Sequence, residues 1–250
     1  MGKDILMINN LSKTYYTPSN EVIAIENLSM NVSENEIVAI VGPSGCGKST
    51  LLNIFGGFED KSSGEIIYPD GEKKIGYMFQ TDCLFDWLTI LDNCLLGLRI
   101  QNELTNENKE YVINLLNNYG LGDFINSYPN NLSGGMRQRV ALIRTLATKP
   151  DILLLDEPFS ALDYQTRLAV ADDVYKIIKN EHKTTIIITH DVAEAISIAN
   201  RVIVLSGRPS SIKKIFDIEL TDATTPIENR NCKEFNTYYK QIWGSIDHNV

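Results

Sequence analysis

One glycine-rich segment limits the possible folds of this chain more than any other. Residues 42–50 read Gly-Pro-Ser-Gly-Cys-Gly-Lys-Ser-Thr, which matches the phosphate-binding pattern G-x-x-x-x-G-K-S in full. An apolar, β-branched run at 37–41 precedes the loop, and the residues that follow it are typical of a helix. Strand, glycine loop and helix therefore occur in the order that the pattern requires, which a chance glycine-rich turn would not provide.

Each part of the loop has a physical task in holding phosphate. The glycines let the backbone curl so that successive N–H groups face one anion, and the helix directs its positive end at the same point. Lys48 adds a full positive charge, and the Ser49 hydroxyl is suited to ligate Mg²⁺. The loop residues that we predict to contact the nucleotide are Gly42, Pro43, Ser44, Gly45, Cys46, Gly47, Lys48, Ser49 and Thr50.

Two carboxylates follow a second buried strand. The apolar residues 152–155 lead directly into Asp156 and Glu157. Ligands of parallel sheets bind where the strands end, so these acids are predicted to lie near the phosphate loop. Asp156 suits support of Mg²⁺, and Glu157 suits polarisation of an attacking water.

A second anion-binding helix start is predicted at residues 133–135. Ser133 is a good N-cap, and Gly134 and Gly135 leave the first N–H groups of the next helix exposed. An ordinary helix cap would not explain two phosphate-binding segments in a chain with one glycine loop.

The remaining pattern outlines a mixed fold. We predict strands at 4–9 and 22–32 and a hairpin at 65–79 around Asp70-Gly71, which together form an antiparallel sheet. Residues 88–149 are predicted to be mostly helical, and strand–helix alternation after Pro150 predicts a parallel sheet. The polar tail at 209–250 is predicted to form one packed helix.

Composition excludes several classes of protein. The net charge of −9 disfavours general nucleic-acid binding, because phosphate contacts need an excess of Lys and Arg. The four cysteines form no C-x-x-C pair and fit a reducing cytoplasm. No apolar run approaches the length that spans a bilayer, so work at a membrane requires another protein as the anchor.

Taken together, these motifs identify a family resemblance. Residues 132–138 read Leu-Ser-Gly-Gly-Met-Arg-Gln, and residues 160–163 read Ser-Ala-Leu-Asp. With the glycine loop and the paired acids, in this order, the chain resembles the ATP-binding subunit of ABC transporters from about residue 5 to 208. Met136 departs from the commonest signature, which has Gln there.

The resemblance implies further roles. Tyr15 matches the aromatic that stacks on adenine, with Tyr16 as the alternative if the register is shifted by one residue. Gln80 matches a residue that contacts Mg²⁺ and water, and Asp163 belongs to a loop at the nucleotide. His190 alone would more often be an ordinary histidine at a strand end, but it matches the family's switch histidine. The implied cofactors are ATP and Mg²⁺; catalysis is assigned to Glu157, His190, Lys48 and Gln80, and metal contacts to Ser49, Gln80 and Asp156.

The implied fold class is α/β, a P-loop NTPase with a RecA-like parallel core sheet, an antiparallel β subdomain and an inserted α-helical subdomain. Residues 1–250 then form a single ABC ATPase domain. Residues 1–82 and 151–208 are the nucleotide-binding core with the β subdomain, 83–150 the helical subdomain with the signature, and 209–250 a C-terminal extension.

The stretch at 84–93, Leu-Phe-Asp-Trp-Leu-Thr-Ile-Leu-Asp-Asn, is similar to importers of the nitrate, sulfonate, taurine or bicarbonate type. The resemblance implies a head-to-tail homodimer that sandwiches ATP, a permease that docks near 84–93, and an indirect solute-binding partner. It places the chain at the cytoplasmic face of the membrane as a peripheral subunit. The alternatives are a soluble ABC ATPase, including the iron–sulfur assembly type, and an adaptor without hydrolysis.

Overall fold

Two sheets and a set of helices build the molecule, here a computed structural model that describes residues 2–18, 20–222 and 224–246. The strands are β1 Asp4–Thr17, β2 Asn20–Ser33, β3 Ile37–Val41, β4 Ser63–Ile67, β5 Ile75–Met78, β6 Ile152–Asp156, β7 Thr184–Ile188, β8 Arg201–Leu205 and β9 Ile212–Asp217. The helices are α1 Lys48–Phe55, α2 Ile90–Ile100, α3 Asn106–Asn118, α4 Gly134–Ala147, α5 Tyr164–Asn180, α6 Val192–Ile198, α7 Pro226–Asn229 and α8 Phe235–Ser245. Short 3₁₀ turns lie at Gly122–Phe124 and Pro129–Asn131.

The core sheet has the strand order β5-β6-β7-β3-β8-β9. Its first five strands are parallel, and β9 pairs antiparallel with β8 at the edge. Residues of β3 alternate between the two faces of this sheet, as a period of two requires. Ile37, Ala39 and Val41 pack under the helices, while Val38 and Ile40 pack toward the antiparallel sheet. Both faces of the sheet are therefore covered, so ligands bind at the edge where the strands end.

The antiparallel sheet differs from the prediction in one strand. Its order is β2-β1-β4, and β4 pairs with β1 at Ile8↔Ile66. The predicted hairpin at 65–79 is wrong, because β5 pairs with β6 of the core sheet at Ile75↔Ile152. The Asp70-Gly71 turn does form, but Lys74 and Asp151 exchange hydrogen bonds of 2.8 Å, which direct the chain into the other sheet.

The C-terminal region contains more than the single helix that the pattern predicted. Residues 212–217 form β9, α7 follows, and α8 carries the aromatic residues of the tail. Of the β9 side chains only Phe216 is fully buried, so the strand lacks the clear alternation that would have revealed it. Residues 223 and 247–250 of the predicted tail lie outside the described residues.

The segment between β5 and β6 is mostly helical, as the sequence predicts. It contains α2, α3 and α4, whose apolar sides join one buried cluster with the core sheet. Among the described residues, no helix is both long and apolar enough to cross a bilayer.

Candidate functional site

The glycine loop curls around the buried side chain of Lys48. Gly45 and Gly47 have φ angles of +70° and +110°, which residues with a side chain rarely adopt. The Lys48 Nζ donates to the carbonyl oxygens of Gly42 and Pro43 at 2.9 Å each. No ion pair of Lys48 with a carboxylate occurs within the described ranges. Its charge is therefore available to an anion.

Cys46 lies beneath the same loop and is almost fully buried. Its Sγ is 3.9 Å from the Lys48 Nζ, and burial raises the pKa of the thiol. A neutral thiol in this position fills space below the loop, while the backbone above it faces the site.

A hydroxyl and a carboxylate meet beside the loop. The Ser49 Oγ lies 3.4 Å from Asp156 Oδ1, and burial raises the pKa of this carboxyl group. The Tyr77 hydroxyl lies 3.3 Å from Asp156 Oδ2 and 2.9 Å from the Asn53 side-chain oxygen. Hard oxygen ligands and a half-buried acid that gains from a nearby cation fit Mg²⁺. Tyr77 was missed by the sequence reasoning, although its strand runs straight into Gln80.

Glu157 is held in an unusual backbone conformation. Its φ is +43°, which is uncommon for a residue with a side chain and points to a functional constraint. The Glu157 N–H donates to the Ile188 carbonyl at 2.9 Å, so strand β7 fixes the residue. Its Oε2 is 3.1 Å from the His190 Nδ1 and 3.3 Å from the Gln80 Nε2. Three residues that are distant in sequence thus meet at one carboxylate oxygen.

A cavity of about 620 Å³ opens between the loop and this group. It is lined by Ser44, Gly45, Gly47, Lys48, Ser49, Thr50, Glu157 and His190. Positive charge and N–H groups on one side face a carboxylate and an imidazole on the other. The cavity can hold a phosphate chain with a reactive group at its end.

Tyr15 lies next to the loop but is held by neighbours. Its hydroxyl donates to Glu59 at 2.7 Å and lies 3.3 Å from the Thr50 Oγ1. The Lys13 ammonium sits 4.8 Å from the centre of its ring. Tyr16, the alternative, is 75% exposed on β1. Of the two, Tyr15 is the one tied to a loop residue.

The signature segment forms the start of α4. The Ser133 side chain accepts a hydrogen bond from the Met136 N–H, as an N-cap does. A Cβ atom on Gly135 would lie 2.7 Å from Val170 Cγ2, so this position requires glycine for α4 to meet α5. Asp163 caps α5 through the Thr166 N–H. Within the described chain, residues 133–135 and Asp163 do not line the cavity.

The loop after Gln80 is clasped by two arginines of α4 that the sequence reasoning missed. The Arg137 Nε donates to Asp82 Oδ2 at 3.0 Å. The Arg144 guanidinium donates to the Asp82 and Cys83 carbonyls at 2.7 and 2.6 Å. The helix that begins with the signature therefore also fixes the segment beside Gln80.

An apolar groove lies next to that segment. Trp87 is 73% exposed and contacts Phe85, with ring centres 5.0 Å apart. The groove has a volume of about 360 Å³, and the lining includes Tyr77, Phe79, Phe85, Leu96, Gly97, Ile100 and Arg144. Exposed aromatic residues around a groove are typical of an interface.

Comparison with known proteins places this chain in a family. The family described as ABC transporter matches residues 25–160. The chain is 40% identical over 249 residues to the uncharacterized ABC transporter ATP-binding protein YtlC of Bacillus subtilis (strain 168), which covers 97% of this chain and 95% of the relative. It is 39% identical to the taurine import ATP-binding protein TauB of Ruegeria pomeroyi, over 93% of this chain and 89% of that protein. The aliphatic sulfonates import ATP-binding protein SsuB of Bacillus anthracis is 38% identical, with 96% and 95% covered.

Solved structures agree with the sequence relatives. The dimeric ATP-binding cassette MJ0796, in a post-hydrolysis state bound to ADP and Pi, aligns with a TM-score of 0.71 and 32% identity. The alignment covers 86% of this chain and 99% of that one. The predicted fold class, with a parallel core sheet beside an antiparallel sheet, is confirmed. The chain therefore belongs to the ABC transporter family, as one of its ATP-binding and ATP-hydrolysing cassettes.

Proposed function

We propose that the chain is the subunit that energises import of a small solute through a separate membrane permease. One observation carries the catalytic part of the proposal. The Glu157 carboxylate, the His190 imidazole and the Gln80 amide meet at the end of a cavity whose other wall is the phosphate loop. This is where the terminal phosphate of ATP would lie if the loop holds the others.

The nucleotide and the metal would be held by separate groups. The N–H groups of 42–50 and the Lys48 ammonium bind phosphate oxygens, and Tyr15 supports the base. Ser49, Gln80 and Asp156 would hold Mg²⁺, whose chemistry is to neutralise charge that develops on the phosphate oxygens. Tyr77 orients the Asp156 carboxylate through its hydroxyl.

Hydrolysis requires a water aligned with the terminal phosphate. Glu157 accepts a hydrogen bond from this water and polarises it. His190 holds the Glu157 carboxylate in place and lies next to the terminal phosphate. The positive φ of Glu157 keeps its side chain at this point.

A second copy of the chain would complete each site. Residues 133–135 and Asp163 lie away from the cavity of their own chain, yet the N–H groups at the start of α4 suit an anion. In a head-to-tail dimer with twofold symmetry, they would close over the nucleotide held by the partner. ATP would then link the two copies, and loss of phosphate would release them.

The division of labour within the chain follows from these contacts. We assign nucleotide binding to 1–82 and 151–208 and signature presentation to the helical unit 83–150. The extension at 209–250 contributes β9 to the core sheet, so part of it belongs to the core.

The permease would dock at the groove beside 84–93. The groove adjoins the clasped loop that follows Gln80, so a docked helix can affect the amide that touches Glu157. The subunit would then lie at the cytoplasmic face of the membrane, with a solute-binding protein acting through the permease. The names of the relatives TauB and SsuB favour taurine or another sulfonate as the solute class.

An ATPase assay tests the catalytic proposal. The purified chain should release phosphate from Mg·ATP, and Lys48→Ala should reduce the rate by about two orders of magnitude or more. Equal rates in both proteins would contradict the assigned site. Co-purification with a membrane permease separates the transport subunit from a soluble ABC ATPase, which would be recovered without one.

A further inference from the structure

Glu194 is a buried carboxyl group that the proposed hydrolysis site does not use. It lies one helical turn after His190 on α6, and only 4% of it is exposed. Among the described residues, its Oε1 has no hydrogen-bond partner. A buried polar atom without a partner is costly, so its presence in a well-packed helix calls for a physical explanation.

The surroundings keep this group mainly neutral near pH 7. Burial, together with the Asp191 charge, raises the pKa of Glu194 to about 8, while Thr189, Arg167 and Arg230 oppose the rise. These charges come from the start of α6, from α5 and from the end of α7. The other elements packed on α6 are β3, β8 and α8, and no charged group among their described residues is a main cause of this shift.

Glu194 interacts with both neighbours of His190. Thr189 opposes the rise in the pKa of Glu194, and its hydroxyl accepts a hydrogen bond from the Asp191 N–H at 3.0 Å. The Asp191 carboxylate accepts from the Glu194 N–H at 3.1 Å. The segment that carries the switch histidine is therefore held by the residue one turn later, through the Asp191 carboxylate.

Arg167 connects the same cluster to the loop before α5. Its Nη2 donates to the Leu162 carbonyl at 3.0 Å, and its Nη1 lies 3.8 Å from Asp191 Oδ2. Its buried Nε has no hydrogen-bond partner in the described chain, and the same holds for the Nε of Arg230. The charges of both guanidinium groups act on the Glu194 carboxyl group, and both groups carry a spare donor while the carboxyl group carries a spare acceptor.

We propose that Glu194 is a positioning residue for ATP hydrolysis. In its neutral form it leaves Arg167 bridging Leu162 and Asp191, which keeps His190 against Glu157. When the carboxyl ionises, it attracts the spare donors of Arg167 and Arg230, draws Arg167 away from Asp191 and shifts His190. The proton leaves to solvent, and no other bond changes.

This proposal rests on the role given to His190 above, and pH profiles separate the two. We expect the kcat of the wild type to fall on the order of tenfold between pH 7 and pH 9, as the neutral fraction falls from about nine tenths to about one tenth. Glu194→Gln places an uncharged side chain of the same shape at this position at every pH. It should retain the pH 7 rate, and its kcat should fall much less at alkaline pH. Glu110→Gln, an exposed substitution on α3, is the matched control and should follow the wild type.

Identical alkaline declines in Glu194→Gln and the wild type, with normal ATPase at pH 7, would overturn the positioning role and leave the proposed function intact. No ATPase in the wild type at any pH would instead count against the proposed function.

A second measurement needs no ATPase activity. The chain has three histidines, so imidazole NMR signals of the wild type can be followed with pH, and His190→Gln identifies the signal of His190. We expect the His190 signal to respond to the ionisation of Glu194 near pH 8, and this response should be absent in Glu194→Gln. A His190 signal with the same pH response in the wild type and in Glu194→Gln would overturn the proposal.

Discussion

Tyr77 supports the proposed Mg²⁺ site through its contact with Asp156. Its hydroxyl contacts both Asp156 and Asn53, and its bond to Asp156 lowers the pKa of a carboxyl group that burial raises. Without that bond, the carboxylate is both less well oriented and easier to protonate.

We therefore expect Tyr77→Phe to weaken the proposed Mg²⁺ site. We expect the KM for Mg·ATP to rise about two- to tenfold, the equivalent of one lost hydrogen bond. Because the pKa of Asp156 would rise further, the acidic limb of the rate profile should move to higher pH. Tyr68→Phe, at a half-buried tyrosine outside the site, is the control. An unchanged KM together with an unchanged acidic limb would contradict the role.

Some residues of the candidate site could be predicted from the sequence, and others could not. Asp156, Glu157 and His190 follow buried strands of a parallel sheet, so their meeting at one edge follows from the strand pattern. Tyr77 could not be found in this way, because a tyrosine inside a strand is equally typical of the core. The contact that gives it a role joins β5 to the end of β6, which no local pattern reveals.

At the scale of elements, the contact between α4 and α5 depends on one missing side chain. An added Cβ at Gly135 would lie 2.7 Å from Val170 and 3.2 Å from Thr166. Both are β-branched residues in a helix, with little freedom to turn away. The start of the signature helix is thus placed by close packing as well as by its cap.

Gly135→Ala should push the two helices apart. We expect a loss of about 1–3 kcal/mol in the free energy of unfolding. Thermal unfolding measures the change, with Gly207→Ala as the control because a Cβ there meets no atom within 4 Å. A melting temperature equal to that of the wild type would show that the helices can adjust.

The apolar groove beside residues 84–93 leads to a prediction about docking of the permease. Trp87→Ala removes the most exposed part of the aromatic pair and should weaken assembly with the permease by about 2 kcal/mol or more, as loss of a central aromatic does. Pull-down of the permease measures this, and the ATPase of the isolated subunit should fall far less. Trp243→Ala on α8, also an exposed tryptophan, is the control. Equal permease recovery from both variants would place the docking surface elsewhere.

Elements were predicted well where periodicity is strong and poorly where pairing is distant. The buried strands β3, β6 and β7 each contain a run of three or more consecutive apolar residues and were found from sequence. The hairpin was wrong because turn chemistry at Asp70-Gly71 says nothing about which sheet the next strand joins. Strand β9 was missed because five of its six residues are lysine, isoleucine or aspartate, and their burial does not alternate regularly.

For the whole molecule, the main prediction concerns two copies. Glu157→Gln should bind ATP, hydrolyse it at least about a hundredfold more slowly, and form a long-lived dimer. Size-exclusion chromatography with Mg·ATP reports the dimer. The double variant Lys48→Ala, Glu157→Gln should remain a monomer under the same conditions. A monomeric Glu157→Gln with ATP bound would contradict the shared site.

The position of β3 has a consequence for how the protein is made. The phosphate loop follows β3 near the start of the chain, but β3 lies between β7 and β8, with pairs such as Val38↔Ile186 and Val38↔Arg201. Chains emerge from the ribosome N-terminus first, and contacts between distant segments form slowly. A nascent chain therefore carries the complete motif long before it can hold a nucleotide. Affinity for ATP should arise only once β8 has left the ribosomal tunnel, so chains truncated before that point would present the loop without its support.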